Sequence, residues 1–106
     1  MPKYLFKVSY TTQGARGVAE DGGTGRRDAA KQATASAGGN LEAFYFAFGE
    51  DDAYAIADLP DNETAAAVAL AVNGSGGADL QTVVLMTPEE LDAASQKRVD
   101  FRPAGG

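Results

Sequence analysis

The chain has 106 residues, of which 44% are hydrophobic and 23% charged, a composition typical of one folded domain rather than a disordered segment. The formal net charge of −6 argues against nucleic acid as a partner, since only nine Lys and Arg residues are present and they are spread along the chain. Because the sequence has no Cys and no His, it excludes disulfides and thiolate chemistry and lacks the commonest zinc ligands.

The first elements along the chain are a strand and a helix separated by a polar stretch. Side chains alternate over residues 4–10 and predict strand one, with three aromatic residues and a valine on one face. The glycine-rich stretch 11–25 predicts a loop. An alanine-rich run over residues 26–37 has helical spacing and predicts a helix, which the following Gly-Gly pair ends.

Two further strands, 41–48 and 53–58, are predicted on either side of an acidic Gly-Glu-Asp-Asp turn. Strand two is apolar on both sides, because its phenylalanines fall on one face while Leu41, Ala43 and Tyr45 fall on the other. This pattern predicts that both faces of the sheet are covered.

The remaining elements begin with clear helix signals. Asp61 is the predicted N-cap of a second helix, whose buried stripe of alanine and valine runs over residues 65–72. Residues 80–86 predict strand four. The Thr-Pro-Glu-Glu sequence at 87–90 is a capping box with proline at the first helical position, and it predicts a short helix to about Lys97.

The resulting order predicts an α+β fold of ferredoxin-like βαββαβ type. Right-handed crossovers give a four-stranded antiparallel sheet with helices on one face, an extra short C-terminal helix, and strands one and three side by side at the centre. Residues 1–97 form one domain, and residues 98–106 form a C-terminal tail that is loose unless Phe101 docks on a neighbour. Because the helices cover only one apolar face, we expect the other to meet a second copy, in a homodimer or higher homo-oligomer.

A polar site is predicted where the end of strand one meets the start of strand three. Antiparallel pairing of the central strands brings these segments together at one end of the sheet. The candidate ligand-binding residues are Tyr10, Thr11, Gln13, Arg16, Asp52 and Tyr54. Arg16 is the preferred contact for an anion or a carbonyl, because its guanidinium can bind a carboxylate in two places. The two tyrosines form walls, and Asp52 acts as an orienting group or a base.

Other polar clusters favour structural roles. The carboxylates at 50–52 indicate a solvated turn, since a cation site needs more converging oxygens, and no metal is predicted. Arg26 and Arg27 follow glycines that suit an anion, but without a Walker or Rossmann motif a mobile loop is favoured and no cofactor is predicted. Lys7 is expected at a sheet edge or paired with a carboxylate such as Glu42.

Four short motifs follow one another in a characteristic order. They are Tyr10-Thr11-Thr12-Gln13-Gly14, Gly38-Gly39, Gly49-Glu50-Asp51-Asp52 and Leu59-Pro60-Asp61-Asn62-Glu63. Over about residues 3–90 the chain resembles the GYD domain family. The resemblance implies a relative of the dimeric α+β barrels, a group of small monooxygenases, isomerases and ligand-sensing domains, and it implies no particular reaction. Asp51 stands where the family has tyrosine, so a role for that tyrosine does not transfer, although Tyr54 supplies a ring nearby.

Three functions remain open. The first is a homo-oligomeric module that binds a small, partly apolar molecule between sheet and helices, because alanine-rich helices leave room for a cavity. The second is a cofactor-independent enzyme of monooxygenase or isomerase type, against which the absence of His counts. The third is a purely structural assembly module. Without a signal-peptide core or a transmembrane run, we expect a cytoplasmic protein with no membrane partner.

Overall fold

The computed structural model describes residues 1–105 and contains a four-stranded antiparallel sheet with three helices. The strands are β1 (Lys3–Tyr10), β2 (Asn40–Phe46), β3 (Ala53–Asp58) and β4 (Ala78–Leu85), and the helices are α1 (Thr12–Ser36), α2 (Asn62–Gly74) and α3 (Pro88–Ser95). The strand order is β2-β3-β1-β4, so β1 and β3 occupy the centre as predicted. The ferredoxin-like α+β fold is confirmed.

The core lies between the sheet and the two long helices. Alternate residues of the central strands are buried on this side: Tyr4, Phe6, Val8, Ala53, Ala55 and Ala57. Tyr4 is completely buried, and its hydroxyl donates a hydrogen bond of 2.7 Å to Asn62 Oδ1. The predicted stripe of α2 is confirmed, because Ala65 is buried and Val68 packs against the same cluster.

Helix α1 begins much earlier than the sequence predicts. The Thr11 hydroxyl accepts a hydrogen bond of 3.1 Å from the Gly14 amide as the N-cap, and the Thr11 amide donates one of 3.1 Å to the Gly77 carbonyl. Each interior glycine disfavours a helix by about 1 kcal/mol, which is why residues 11–25 predict a loop. That prediction is wrong, because the cap and the contact with the α2–β4 turn stabilise the helix. Among the helices of residues 1–105, none is long and apolar enough to cross a membrane.

A kink at Gly22 divides α1 into two parts. Gly22 has φ 76° and ψ 166°, a backbone conformation that is accessible to glycine and strained for other residues. The next residue, Gly23, lies against the Phe46 ring, which would be only 3.0 Å from a Cβ atom at that position. The kink therefore lets the second part of α1, which carries Arg26, pack close to the end of β2.

Strand β2 is shorter and less regular than predicted. It ends at Phe46, and Phe48 lies exposed beyond it. A bulge between Leu41 and Ala43 inserts one extra residue, so Leu41 shares the core face with Phe44. The predicted grouping of Leu41 with Ala43 is wrong, because an inserted residue reverses the alternation of side chains along a strand.

The sheet face opposite the helices, here called the open face, carries one apolar row across all four strands. Its members are consecutive cross-strand neighbours: Ala43, Ile56, Leu5 and Val83. Val83 is 40% exposed at the end of the row. This side of the sheet is therefore apolar in one row only, and its predicted contact with a second copy stays a prediction.

Charged residues flank the apolar row and are paired with one another. Lys3 Nζ lies 2.8 Å from a Glu42 oxygen and 2.9 Å from an Asp58 oxygen. Lys7 Nζ lies 3.5 Å from Asp51 Oδ2. The prediction that Lys7 pairs with a carboxylate is confirmed, but its partner is Asp51 and not Glu42, which pairs with Lys3. The alternative position of Lys7 at a sheet edge is wrong, because β1 is a central strand.

Helix α3 starts with the predicted capping box. The Thr87 hydroxyl accepts from the Glu90 amide at 3.1 Å, and the Thr87 amide donates to Glu90 Oε1 at 2.9 Å. The helix ends at Ser95, two residues before the predicted end. Residues 88–105 are exposed throughout, including Phe101 at 76%. The predicted tail extends to Gly106, which lies outside the described residues.

Candidate functional site

A cavity of about 160 Å³ lies between the sheet and helices α1 and α2. Its lining is mostly alanine, aliphatic and aromatic: Phe6, Val8, Tyr10, Arg26, Ala29, Ala30, Ala33, Thr34, Phe44, Ala55, Val68, Val72, Ala78 and Leu80. The space exists because the second part of α1 presents alanines at positions 29, 30 and 33, where larger side chains would fill it. The wall is therefore apolar, with few polar groups.

A wider groove of about 390 Å³ opens beside the cavity. The first part of α1 contributes Gln13 and two glycines to it, and the α2–β4 turn contributes Ser75 and Gly77. Tyr10 and Arg26 line both spaces, so they mark the boundary between the apolar cavity and the more polar groove.

The Tyr10 hydroxyl and the Arg26 guanidinium are neighbours at this boundary. Burial raises the pKa of Tyr10, the nearby positive charge of Arg26 acts in the opposite direction, and the Asp52 charge raises it further. The net shift is upward, so Tyr10 keeps its proton at neutral pH. Arg26 Nη1 also lies 3.3 Å from Asp21 Oδ2. The boundary therefore presents hydrogen-bond donors from both side chains.

The meeting of β1 and β3 was predicted correctly. The Tyr10 amide donates a hydrogen bond of 2.8 Å to Asp52 Oδ2, and the Asp52 amide donates one of 2.8 Å to the Val8 carbonyl. Tyr54, however, pairs with Lys7 on the open face, whereas Tyr10 faces the helices with Val8. Tyr10 and Tyr54 therefore lie on opposite faces of the sheet and do not wall the same cavity.

The other three predicted residues have different surroundings. Gln13 lines the groove. Thr11 is occupied as the N-cap of α1, and its hydroxyl donates a hydrogen bond of 2.8 Å to the Gly76 carbonyl. Arg16 is exposed on α1, outside the cavity and the groove. Ligand binding by the six residues stays a prediction, with Tyr10 and Gln13 closest to an available space.

The model of the GYD domain family matches residues 4–95, nearly the whole chain. The chain belongs to the GYD domain family. No curated protein and no solved structure matches it at a significant level.

This GYD domain also has a polar cluster on its open face that the sequence did not predict. Asp51 is 8% exposed, and its carboxylate lies 3.5 Å from Lys7 Nζ, 3.3 Å from the Tyr54 hydroxyl and 3.4 Å from Ser9 Oγ. The prediction of a solvated turn is wrong for Asp51. The signal was present, because Lys7 and Ser9 alternate on one face of β1 and antiparallel pairing brings them to the start of β3.

The two aspartates of the central turn in this GYD domain have separate partners. Asp51 contacts side chains of the open face, whereas Asp52 accepts from the backbone of Tyr10. Their carboxylates therefore do not form a shared cage for a cation. Within residues 1–105, no three acidic side chains are grouped in a way that could hold a metal ion.

Arg26 is the residue of this GYD domain that the sequence placed in the wrong surroundings. The sequence placed it at the start of the predicted helix and favoured a solvated side chain next to a mobile glycine loop, but in the structure Arg26 lies inside α1 and lines the cavity. The position of the Arg26 side chain depends on the kink at Gly22. Hydrophobic periodicity does not predict where a glycine-rich helix bends. Arg27, its neighbour, points to a different partner and lies 3.5 Å from Asp28.

Proposed function

We propose that this GYD domain binds a small, partly apolar molecule in the cavity between sheet and helices, and that it assembles with copies of itself. The cavity is the observation that carries the binding function. Ligand sites are concave spaces lined mostly by apolar side chains, with a few polar groups that orient the ligand. A space of about 160 Å³ lined by alanines therefore supports a ligand that fills it.

The dimensions indicate the size of that ligand. An apolar cavity of about 150 Å³ is large enough to bind benzene. The space in this chain thus suits an apolar group of about one six-membered ring. Tyr10 and Arg26 at the boundary supply the few polar contacts that orient a ligand in such pockets.

Binding is favoured over catalysis by the chemistry of the lining. Tyr10 and Arg26 are the titratable side chains among the described residues that line the cavity. Burial raises the pKa of Tyr10, and the guanidinium of an arginine offers N–H donors and no acceptor. Neither group accepts a proton near neutral pH, which is what a general base in an isomerase or monooxygenase would have to do.

Assembly is supported by the open face. Its apolar row crosses all four strands, and its lysines are already paired with carboxylates on the same face. Covering this surface therefore removes apolar area from water without leaving a lysine unpaired, which avoids the main cost of burying charge. A second copy of the chain offers the same surface and can pair with it about a two-fold axis.

The binding function is tested by filling the cavity. Ala30→Leu adds three carbons to a residue that lines it, whereas Ala35→Leu adds them to an exposed position of the same helix. Ligand-observed NMR with toluene and phenol would detect occupancy. We expect the parent and Ala35→Leu to bind the ring and Ala30→Leu to lose binding. Failure of the parent to bind either probe, or unchanged binding by Ala30→Leu, would contradict the proposed function.

A further inference from the structure

Among the residues that the structure describes, one charged side chain lines the cavity and the groove. That side chain is Arg26. The chain as a whole has a net charge of −6. A positive group at the entrance of a concave, weakly polar space raises the local concentration of anions even in an acidic protein.

Arg26 already contacts a carboxylate of its own chain. Asp21 and Arg26 stand on either side of the kink at Gly22, with Nη1 and Oδ2 3.3 Å apart. A guanidinium has five N–H donors in a fixed fork, so one contact at this distance leaves donors for another acceptor. Both side chains are partly exposed, at 39% for Arg26 and 50% for Asp21, so solvent can exchange with a ligand there.

The number of positive charges limits the charge of the ligand. Arg27 is next in sequence but lies 3.5 Å from Asp28, away from the lining of the cavity and the groove. One guanidinium, partly neutralised by Asp21, matches one carboxylate better than a phosphate, whose recognition usually takes several positive groups. The Tyr10 hydroxyl beside it can donate to the same acceptor.

We propose that the cavity takes a small carboxylic acid, whose apolar part of about one ring occupies the inner space and whose carboxylate lies at Arg26 and Tyr10. This inference rests on the proposed binding function and adds the chemical class of the ligand. The apolar wall excludes sugars and other polyols, since their hydroxyls would lose water without finding partners. The guanidinium excludes cations.

Three probe molecules of similar shape distinguish a preference for carboxylates from binding of the apolar ring alone. Phenylacetate, phenylacetamide and 2-phenylethylammonium carry the same ring with a negative, a neutral and a positive head group. Titration by NMR or calorimetry at pH 7 gives their dissociation constants. We expect phenylacetate to bind at least about tenfold more tightly than phenylacetamide, because charge-assisted hydrogen bonds are about twice as strong as neutral ones. The cation should bind most weakly.

Substitutions of charged residues test whether Arg26 causes the preference for phenylacetate over phenylacetamide. Arg26→Gln should bring the affinities for acid and amide within about twofold of each other, and Arg26→Lys should keep part of the preference because it retains the charge. Asp21→Asn should strengthen binding of phenylacetate, since it removes the competing carboxylate. Lys31→Gln removes a positive charge from an exposed position of the same helix and should leave the preference unchanged. Circular dichroism of each variant verifies that it is folded.

The possible failures point to different errors. If the parent binds none of the probes, the proposed function and this inference are both overturned. If the parent binds acid and amide equally, the cavity is a binding site but the ligand class is wrong. If Arg16→Gln removes the preference and Arg26→Gln keeps it, the anion lies at the residue that the sequence favoured, and the placement at Arg26 is refuted.

Discussion

The Tyr10 amide donates a hydrogen bond of 2.8 Å to the carboxylate of Asp52. This contact joins the last residue of β1 to the residue that precedes β3. The Asp52 backbone also bonds to Val8 and Ala47, so one residue connects β1 to the β2–β3 turn. Tyr10 also lines the cavity, so the hydrogen bond from its amide to Asp52 helps to fix the position of a cavity residue.

Replacing Asp52 should therefore destabilise the protein. Asp52→Ala leaves the Tyr10 amide without this acceptor, and because the contact is only partly buried we expect a cost of about 1 kcal/mol. Asp52→Asn keeps an oxygen acceptor at the same position and should retain most of the stability. Urea denaturation of the three proteins at one concentration gives the free energies of unfolding. Equal values for Asp52→Ala and the parent would show that the hydrogen bond contributes nothing.

Two glycines in the first part of α1 should respond in opposite ways to replacement by alanine: one substitution should lower the stability of the protein and the other should raise it. A Cβ atom at Gly14 would lie 1.7 Å from the Gly77 carbonyl oxygen, whereas one at Gly17 meets nothing within 4 Å. Gly14→Ala should force the helix away from the α2–β4 turn and lower the melting temperature by several degrees. Gly17→Ala should stabilise by about 0.5 to 1 kcal/mol, because alanine favours a helix interior. Thermal unfolding followed by circular dichroism measures both, and a stable Gly14→Ala would contradict the close approach.

The sequence predicted the elements whose signals are local. The capping box at Thr87 and the N-cap at Asp61 define helix starts through side chains a few residues away, and both are confirmed. The first part of α1 was missed because its glycines disfavour a helix locally. Its stability comes from Thr11 and Gly14 contacting the turn at Gly77, which is distant in sequence.

Only one part of the candidate site, the contact between the ends of the two central strands, was predicted from the sequence. Antiparallel pairing of the central strands follows from topology, so the contact between Tyr10 and Asp52 could be expected. The opposite orientations of Tyr10 and Tyr54 depend on the register, and the sequence alone did not define the register. Arg26 at the cavity depends on the kink of α1, for which no sequence pattern exists.

Stability in acid should depend on the ion pair at the end of the sheet. The hydrogen bond from Lys3 holds the pKa of Asp58 below its ordinary value of 3.8. The unfolded chain therefore binds more protons than the native one in this range, so the stabilisation is complete above pH 3.8 and is lost as the pH falls through the lower native value.

Asp58→Asn tests this dependence. At pH 7 the variant should have a lower melting temperature than the parent, and the difference should shrink as the pH falls below 3.8, where the parent also loses the charge. Asp92→Asn, at an exposed position of α3, serves as the control and should follow the parent at all pH values. A difference between Asp58→Asn and the parent that stays constant from pH 7 to pH 2 would rule out the proposed titration.

The last prediction concerns assembly through the open face. Val83 and Val84 are adjacent on β4, but Val83 pairs with Leu5 in the apolar row of the open face and Val84 pairs with Tyr4 on the helix side. Val83→Lys places an unpaired charge in the surface that we expect to be covered. Leaving a buried charge without a partner costs about 3 to 5 kcal/mol, which corresponds to at least about a hundredfold weaker association.

Val84→Lys is the matched control, because Val84 is 57% exposed and a lysine there remains in water. Sedimentation equilibrium from low to high micromolar concentration should show an oligomer for the parent and Val84→Lys, and a monomer for Val83→Lys. Circular dichroism should be the same for all three, because Val83 is not part of the core between sheet and helices. A parent that stays monomeric at high micromolar concentration would exclude assembly through this face. If both lysine variants dissociate equally, the interface is not formed by the apolar row.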